Sequence, residues 1–133
     1  MGVWQWSQTA ADNDDADGAI NMRENQAPST YNNAVRALMA MVKKWFDDIS
    51  GNLATAGTDT AITIATNTTG VTLTDGVFVR ARITTTNGAA ATLNVDAGGA
   101  KALQGKSGTA LPAGALVAGM IAHFTYDSSA DAW

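Results

Sequence analysis

The pattern closest to a chemical site is an acidic stretch near the N-terminus. Seven residues fall at loop positions 1, 3, 5, 6, 8, 9 and 12 of a calcium-binding EF-hand: Asn13, Asp15, Asp17, Gly18, Ile20, Asn21 and Glu24. An EF-hand loop normally starts with Asp and lies between two helices. Here the first position is Asn13, and Pro28 follows soon after Glu24. We therefore predict that this stretch binds no metal and forms a polar turn anchored by Ile20.

His123 carries the only imidazole in the sequence. It lies in a run of alternating apolar residues, and the chain has no cysteine that could join it in a metal site. The sequence also lacks a nucleophile elbow, a phosphate-binding glycine loop and a paired-carboxylate motif. We predict a protein that is not an enzyme and that uses no cofactor.

The charge balance argues against nucleic-acid and membrane partners. The net charge is −4, and the longest basic run is the pair Lys43 and Lys44, so no electrostatic surface for phosphate backbones is expected. No apolar stretch is long enough to span a bilayer, and the N-terminus lacks the basic and apolar segments of a secretory signal. Without disulfides, the protein must be stabilised by packing or by association.

Residues 29–50 are predicted to form an amphipathic helix. Pro28 precedes hydroxyl residues that can cap a helix, and Gly51 can adopt the left-handed conformation that ends one. Apolar residues repeat every seven positions in two rows, Val35, Val42 and Ile49 in one and Tyr31, Leu38 and Trp45 in the other. Ala34, Met39, Met41 and Phe46 lie beside this seam. Because such a helix is marginal alone in water, the seam must pack on its own chain or on other copies.

Residues 1–28 are predicted to form an extended arm. Trp4 and Trp6 alternate, so they share one face of an extended segment, and Ile20 is a further apolar anchor. A short arm of this kind cannot form a core alone. It must lie either on its own helix or on a neighbouring protein.

The rest of the chain is predicted to be β-structure. Residues 51–60 are small and polar and indicate a linker, whereas from Ala61 onward apolar residues alternate with a period of two. The Asn87-Gly88 pair predicts a hairpin, and a last long strand is predicted with one face of alternating residues: Leu116, Ala118, Met120, Ala122, Phe124 and Tyr126. Arg80 and Arg82 are expected to face solvent. The prediction for 61–133 is a small antiparallel β-sandwich or jelly-roll-like domain, in an α+β chain.

Several segments resemble the N-terminal region of tailed-bacteriophage tail fibre proteins. In the first half they are residues 6–13, 16–17, 20–21, 24–29 (ENQAPS), 33–40 (NAVRALMA) and 47–51 (DDISG). In the second half, residues 73–76, 85–95 and 101–103 look like the β-rich module that often follows in those proteins. The chain departs from the family at Met22, where an aromatic residue is expected, and at Asn25, where glycine is expected.

The resemblance implies a structural virion protein that is located in the phage tail and assembled in the host cytoplasm. Such fibres are usually homotrimers, and their N-terminal region attaches them to other tail proteins, such as an adaptor, nozzle or baseplate. We expect docking on the virion through Trp4, Trp6 and Ile20. The expected subunit interface consists of Tyr31, Val35, Leu38, Val42, Trp45 and Ile49.

Two other interpretations stay open at this point. The β domain could be a receptor- or carbohydrate-binding module, with a host surface glycan bound near Tyr126, Trp133 and the glycine loops. Alternatively, the chain could be a capsid decoration protein or a head fibre. In the tail fibre family, host recognition lies further along a longer chain, which favours attachment over receptor binding for the region seen here.

Overall fold

A computed structural model describes residues 3, 6–7, 9–14 and 17–133. Within them lie one short 3-10 turn, one long helix and seven short strands. Their order is the 3-10 turn Ala10–Asn13, α1 (Pro28–Ser50), β1 (Leu53–Ala54), β2 (Ala56–Gly57), β3 (Ala61–Ile64), β4 (Phe78–Arg82), β5 (Thr92–Val95), β6 (Lys101–Ala102) and β7 (Ile121–Thr125). The predicted α+β composition with a single amphipathic helix is confirmed for this part of the chain.

The helix α1 starts one residue before the predicted position and ends where predicted. Pro28 is tolerated at the first helical position because its missing N–H would have no helical acceptor there. The N–H groups of Thr30 and Tyr31 donate to the carbonyl of Ala27, at 2.9 and 3.2 Å. No side chain caps this end of the helix. At the other end Gly51 has φ of 91°, the left-handed conformation expected of a helix-ending glycine.

The described strands form two mixed sheets, with strand orders β1-β4-β7 and β2-β3-β5-β6. Strand β1 runs parallel to β4, and β3 runs parallel to β5, whereas the other pairs are antiparallel. The prediction of an entirely antiparallel domain is therefore wrong. The reason is that β5 pairs with β3, placing Leu93 beside Ile62, and does not fold back onto β4.

The predicted hairpin at Asn87-Gly88 is also wrong, because Asn87 serves a different structural purpose. Its side chain is buried. The amide nitrogen donates to the carbonyls of Gly88 and Pro112 at 2.8 and 2.9 Å, and Oδ1 accepts from the N–H of Leu116 at 2.7 Å. Asn87 thus fastens the 112–116 segment to the chain between β4 and β5.

Residues 51–60, which were predicted to be a linker, include the short strands β1 and β2. Leu53 of β1 lies opposite Ala81 of β4, and Ala56 of β2 lies opposite Thr63 of β3. The length of the connection is therefore fixed by strand pairing. Strand β1 follows α1 directly, with only two residues between them.

The last strand is shorter than predicted. Only Ile121–Thr125 is extended and paired, because residues 117–120 form a turn in which the N–H of Met120 donates to the carbonyl of Val117 at 3.1 Å. Consequently Ala118 and Met120 are exposed. The other residues of the predicted face are buried: Leu116, Ala122, Phe124 and Tyr126.

Both sheets contribute to one cluster of buried side chains. Val79 and Phe124 come from the three-stranded sheet, and Ile62 and Leu93 come from the four-stranded sheet. The helix α1 packs against β1 and β4. Among the described residues, no helix has both the length and the apolar character needed to cross a membrane.

Candidate functional site

One face of α1 carries large apolar side chains that the rest of the described chain leaves exposed. We call this set the α1 face: Tyr31 (57% exposed), Met39 (67%), Val42 (45%), Trp45 (36%) and Phe46 (56%). Contiguous apolar surface of this kind is uncommon on soluble monomers and is typical of an association site. The α1 face is therefore the first candidate functional surface.

A second side of α1 is occupied by its own chain. Ala34 and Asp48 are buried there, and Ala37 and Met41 are half-buried. Since successive residues of a helix are rotated by about 100°, these positions lie roughly 80 to 140° around the helix axis from Val42. The helix thus uses one side within the chain and leaves the other free for a partner.

The exposed stripe is rotated around the helix axis relative to the predicted seam. The rotation is toward Met39 and Phe46, which were predicted to lie beside the seam. Of the six predicted interface residues, three are exposed and three are half-buried: Tyr31, Val42 and Trp45 in the first group, and Val35, Leu38 and Ile49 in the second. Met39 is more exposed than any of these, and Phe46 is more exposed than any except Tyr31. Sequence periodicity could show the width of the apolar face, but not which part its own chain would cover.

Lys43 borders a shallow groove on this face, which is lined by Leu38, Met39, Val42, Lys43 and Phe46. Its ammonium group forms an ion pair with Asp47, one turn later, and lies 5.7 Å from the centre of the Phe46 ring. Hydrogen bonds from Lys43 and from Asn52 lower the pKa of Asp47. The lysine charge is thus held at the edge of the groove, and the groove itself stays apolar.

The C-terminal end of α1 is fixed to the β-structure by Asp48. The carboxylate is fully buried and accepts four hydrogen bonds. Two come from the N–H and side-chain amide of Asn67, at 2.7 and 2.8 Å, and two from the N–H and hydroxyl of Thr68, at 3.1 and 2.6 Å. A carboxylate near the C-terminal end of a helix interacts unfavourably with the helix dipole. These four donors offset that effect and set the direction in which α1 leaves the sheets.

A second carboxylate holds the other side of the same loop. Asp96, just after β5, accepts from the N–H and hydroxyl of Thr66 at 2.7 and 2.5 Å and from the N–H of Val71 at 3.1 Å. Residues 66–71 are therefore clamped between Asp48 and Asp96. In the sequence this loop is only a polar gap between two apolar stretches.

The second candidate surface is an open pocket of about 170 Å³ between the N-terminal arm and α1. We call it the arm pocket, and its lining residues are Trp6, Asn13, Asp17, Ile20, Met22 and Leu38. Ile20, which was predicted to take part in docking, is buried within its own chain and lines this pocket. Trp6 is half-buried at the pocket, and Trp4 lies outside the described residues.

Side-chain hydrogen bonds shape the arm around this pocket. Asn13 Oδ1 accepts from the N–H of Ser7 at 2.8 Å, and Asn13 Nδ2 donates to the carbonyl of Ser7 at 2.8 Å. Asp17 Oδ1 accepts from the N–H of Ala19 at 2.9 Å, within a tight turn that ends at Ile20. The predicted polar turn anchored by Ile20 is confirmed. Over the described residues, no three His, Asp or Glu side chains are placed to hold a metal ion, and Asp15 lies outside them.

The aromatic residues expected to form an exposed glycan site are buried. Tyr126 and Trp133 pack together in the core with ring centres 5.4 Å apart. The Tyr126 hydroxyl donates to Asp131 Oδ1 at 2.6 Å, and Lys101 Nζ donates to Asp131 Oδ2 at 2.8 Å. Hydrogen bonds from Lys101, first, and from Tyr126 lower the pKa of Asp131. This group stabilises the β-structure and offers no aromatic platform for a sugar.

The outer face of the β4–β7 pair carries the remaining polar candidates. Arg80 and Arg82 are exposed, as predicted, and Arg82 donates to the carbonyl of Gly119 at 2.8 Å. His123 is exposed and stacks on Phe78 with ring centres 4.9 Å apart, and its Nε2 lies 3.0 Å from the hydroxyl of Thr125. This arrangement is typical of a surface cross-strand pair.

Two comparisons, with protein families and with curated proteins, give no relative of this chain. No protein-family description matches it, and no curated protein is recognisably similar. The α1 face and the arm pocket are therefore the features on which a function can be argued.

Proposed function

We propose that this chain is a structural protein of a bacteriophage virion, either a tail fibre or its N-terminal anchor. It associates as a homotrimer through α1 and attaches to a tail protein through residues 1–28. The proposal rests on the sequence resemblance to tail fibre N-terminal regions together with one structural observation. That observation is the exposure of the large apolar side chains of the α1 face.

The magnitude of the hydrophobic effect favours association through this face. Full burial of one large apolar side chain contributes about 1.5 to 3 kcal/mol. The five residues of the α1 face are roughly half exposed, so their burial by other copies contributes about 4 to 8 kcal/mol per chain. Summed over three chains, this is enough to exceed the lower estimates for the cost of association.

Cyclic symmetry lets every copy use the same face. In a ring of three chains, each α1 presents its exposed stripe to the common axis and no stripe is left in water. The number three comes from the family resemblance, because a short heptad pattern with Val and Ile in one row does not by itself select trimers over dimers.

In this proposal, the β-structure is a sandwich of two mixed sheets that continues the fibre away from the helix bundle. The shared core cluster supports this arrangement, since it draws side chains from both sheets. The Asp48 contacts with Asn67 and Thr68 support a fixed direction between helix and sandwich. A fixed direction is what a fibre needs to project from the virion.

The proposal is tested by measuring the mass of the protein in solution. The wild type is expected to have the mass of a trimer by light scattering at micromolar concentration. The double variant Val42→Asp, Phe46→Asp is expected to be monomeric, because it places charges in the shared seam. A matched control, Asn33→Asp with Ala40→Asp, adds the same charge on the exposed opposite side and should remain trimeric. A monomeric wild type would refute association through α1.

A further inference from the structure

Asp17, which lines the arm pocket, has a carboxylate oxygen that receives no hydrogen bond from the described residues. Asp17 is only 3% exposed, although carboxylates are rarely buried without partners. Its Oδ1 accepts from the N–H of Ala19, but none of the described residues donates to Oδ2, which is itself buried. A buried and unpaired carboxylate oxygen is unfavourable for folding, so it calls for an explanation in terms of a ligand or partner.

The surroundings of this oxygen define what would complement it. The pocket walls include the apolar side chains of Trp6, Ile20, Met22 and Leu38. A neutral alkyl group would fill the space and leave Oδ2 unpaired, and an anion would be repelled. A flexible chain of methylene groups with a cation at its end satisfies both the walls and the carboxylate.

We infer that the arm pocket receives a lysine or arginine side chain from the tail protein on which the arm docks. The inference rests on the proposed function and names the chemistry of its docking contact. The stem of the incoming side chain packs against Trp6 and Leu38, and its terminal N–H group donates to Asp17 Oδ2. A cation next to an indole ring is also favourable.

Size and charge support this occupant. A cavity of about 150 Å³ holds a benzene molecule, so the arm pocket, at about 170 Å³, has room for the end of a long basic side chain. The exposed carboxylates of Asp14 and Glu24 line the adjoining depression together with Met22. They attract a basic partner toward the pocket before contact is made.

A second copy of the chain is a poorer source for this cation. The chain is acidic overall, with a net charge of −4. Of its adjacent lysines on α1, Lys43 is already paired with Asp47. A basic partner protein fits the charge of the arm better than another copy does.

The experiment uses two small probes with the same alkyl chain, one ending in a cation and the other in a neutral hydroxyl. The full-length protein, labelled with ¹⁵N, is titrated at pH 7 with n-pentylammonium chloride and, separately, with n-pentanol. The shifts of the Ala19 amide and of the Trp6 indole report on binding at the pocket. The ammonium probe is expected to bind about tenfold more tightly than the alcohol, and its affinity should fall as salt is added.

Two variants locate the charge. Asp17→Asn keeps the Oδ1 acceptor for Ala19, so it should bind the alcohol as the wild type does and lose about tenfold in affinity for the ammonium probe. Asp14→Asn removes an exposed carboxylate nearby and should change either affinity by less than about twofold. Retained alcohol binding shows that the pocket of Asp17→Asn is intact.

Equal affinity of the wild type for both probes would overturn the inference, as would unchanged ammonium binding by Asp17→Asn. If Asp17→Asn no longer binds the alcohol either, its pocket is not intact. The inference is then tested by the affinities of the wild type for the two probes. Probe binding that weakens as the protein concentration rises would assign the pocket to a second copy and also overturn the inference. None of these results depends on the trimer mass, so failure here and failure of the proposed function are separable.

Discussion

The hydroxyl of Thr68 donates a hydrogen bond of 2.6 Å to Asp48 Oδ2, and this bond joins the last turn of α1 to the loop that follows β3. Both side chains are buried. The hydroxyl of Thr66, two residues earlier in the loop, donates to Asp96 in the same way, at 2.5 Å. The helix is thereby tied to the sheets through polar groups, which leaves its apolar residues available for other contacts.

The first prediction concerns this joint. Asp48→Ala removes the acceptor of four hydrogen bonds in a buried position, so the free energy of unfolding should fall by about 2 to 4 kcal/mol. Urea denaturation followed by circular dichroism measures the change. Asp47→Ala removes the neighbouring half-buried carboxylate, whose hydrogen bonds with Lys43 and Asn52 lie at the surface, and should stay close to the wild type. Equal effects of the two substitutions would show that the joint does not contribute to stability.

The helix could be predicted from the sequence because its signals are local. Pro28, Gly51 and the seven-residue repeat all lie within or next to the segment, and the observed limits differ from the predicted ones by one residue. Asp48 could not be understood in this way. Its donors, Asn67 and Thr68, lie about twenty residues further along and come close only when the sheets have formed.

The pairing of the strands could not be predicted from the sequence for a similar reason. Alternation identified β3, β4 and β5, but alternation within a segment does not determine which strand pairs with it. Asn87 has the side chain of a turn residue, yet its amide is used to hold a distant loop. The arm pocket could not be foreseen either, because it depends on how Ile20 and Asp17 fold back near Leu38.

The second prediction concerns a close backbone approach in β2. Gly57 has φ of 86°, and a Cβ added there would lie 2.2 Å from the carbonyl oxygen of Ala61. Gly57→Ala should therefore force β2 and β3 apart and lower the free energy of unfolding by about 2 to 4 kcal/mol.

Gly76→Ala is the matched control for this substitution. Its φ of 79° imposes the same backbone strain, but no described atom lies within 4 Å of the added Cβ. It should cost only about 1 kcal/mol. Thermal denaturation of the two variants under identical conditions separates the clash from the strain, and equal melting temperatures would contradict the close approach.

The third prediction concerns pH. Because Lys101 and Tyr126 donate to Asp131, its pKa should lie below the ordinary value of 3.8. A carboxylate with a lowered pKa in the folded state stabilises the protein above its unfolded pKa, and this contribution is lost as the pH falls through the folded pKa. The contribution should therefore be complete near neutral pH, begin to fall near about pH 4 and be lost once the pH is below the folded pKa.

Carbon-detected NMR titration of the Asp131 carboxyl group measures this pKa directly. Lys101→Met removes the larger cause and should move the value upward toward 3.8. Lys106→Met, at another exposed position, should leave the titration unchanged. A midpoint that does not respond to the loss of Lys101 would show that the pair is not formed in solution.

The fourth prediction distinguishes the exposed stripe of α1 from the seam read from the heptad pattern. Phe46 is more exposed than Trp45 in the single chain, at 56% against 36%. If other copies cover the exposed stripe, Phe46→Ala should weaken association by about tenfold or more, because a large apolar contact is lost only in the assembly. Below the dissociation concentration, the same substitution should leave the stability of the monomer nearly unchanged.

Trp45→Ala should affect association less, and the stability of the monomer more, than Phe46→Ala does. A larger share of the Trp45 side chain is covered within its own chain, so its removal should lower monomer stability more than Phe46→Ala does. Sedimentation at several protein concentrations gives the association constants, and denaturation of the dilute protein gives the monomer stabilities. If Trp45→Ala weakens association more than Phe46→Ala does, the subunit contact lies nearer the predicted heptad seam than the side of the α1 face that carries Met39 and Phe46.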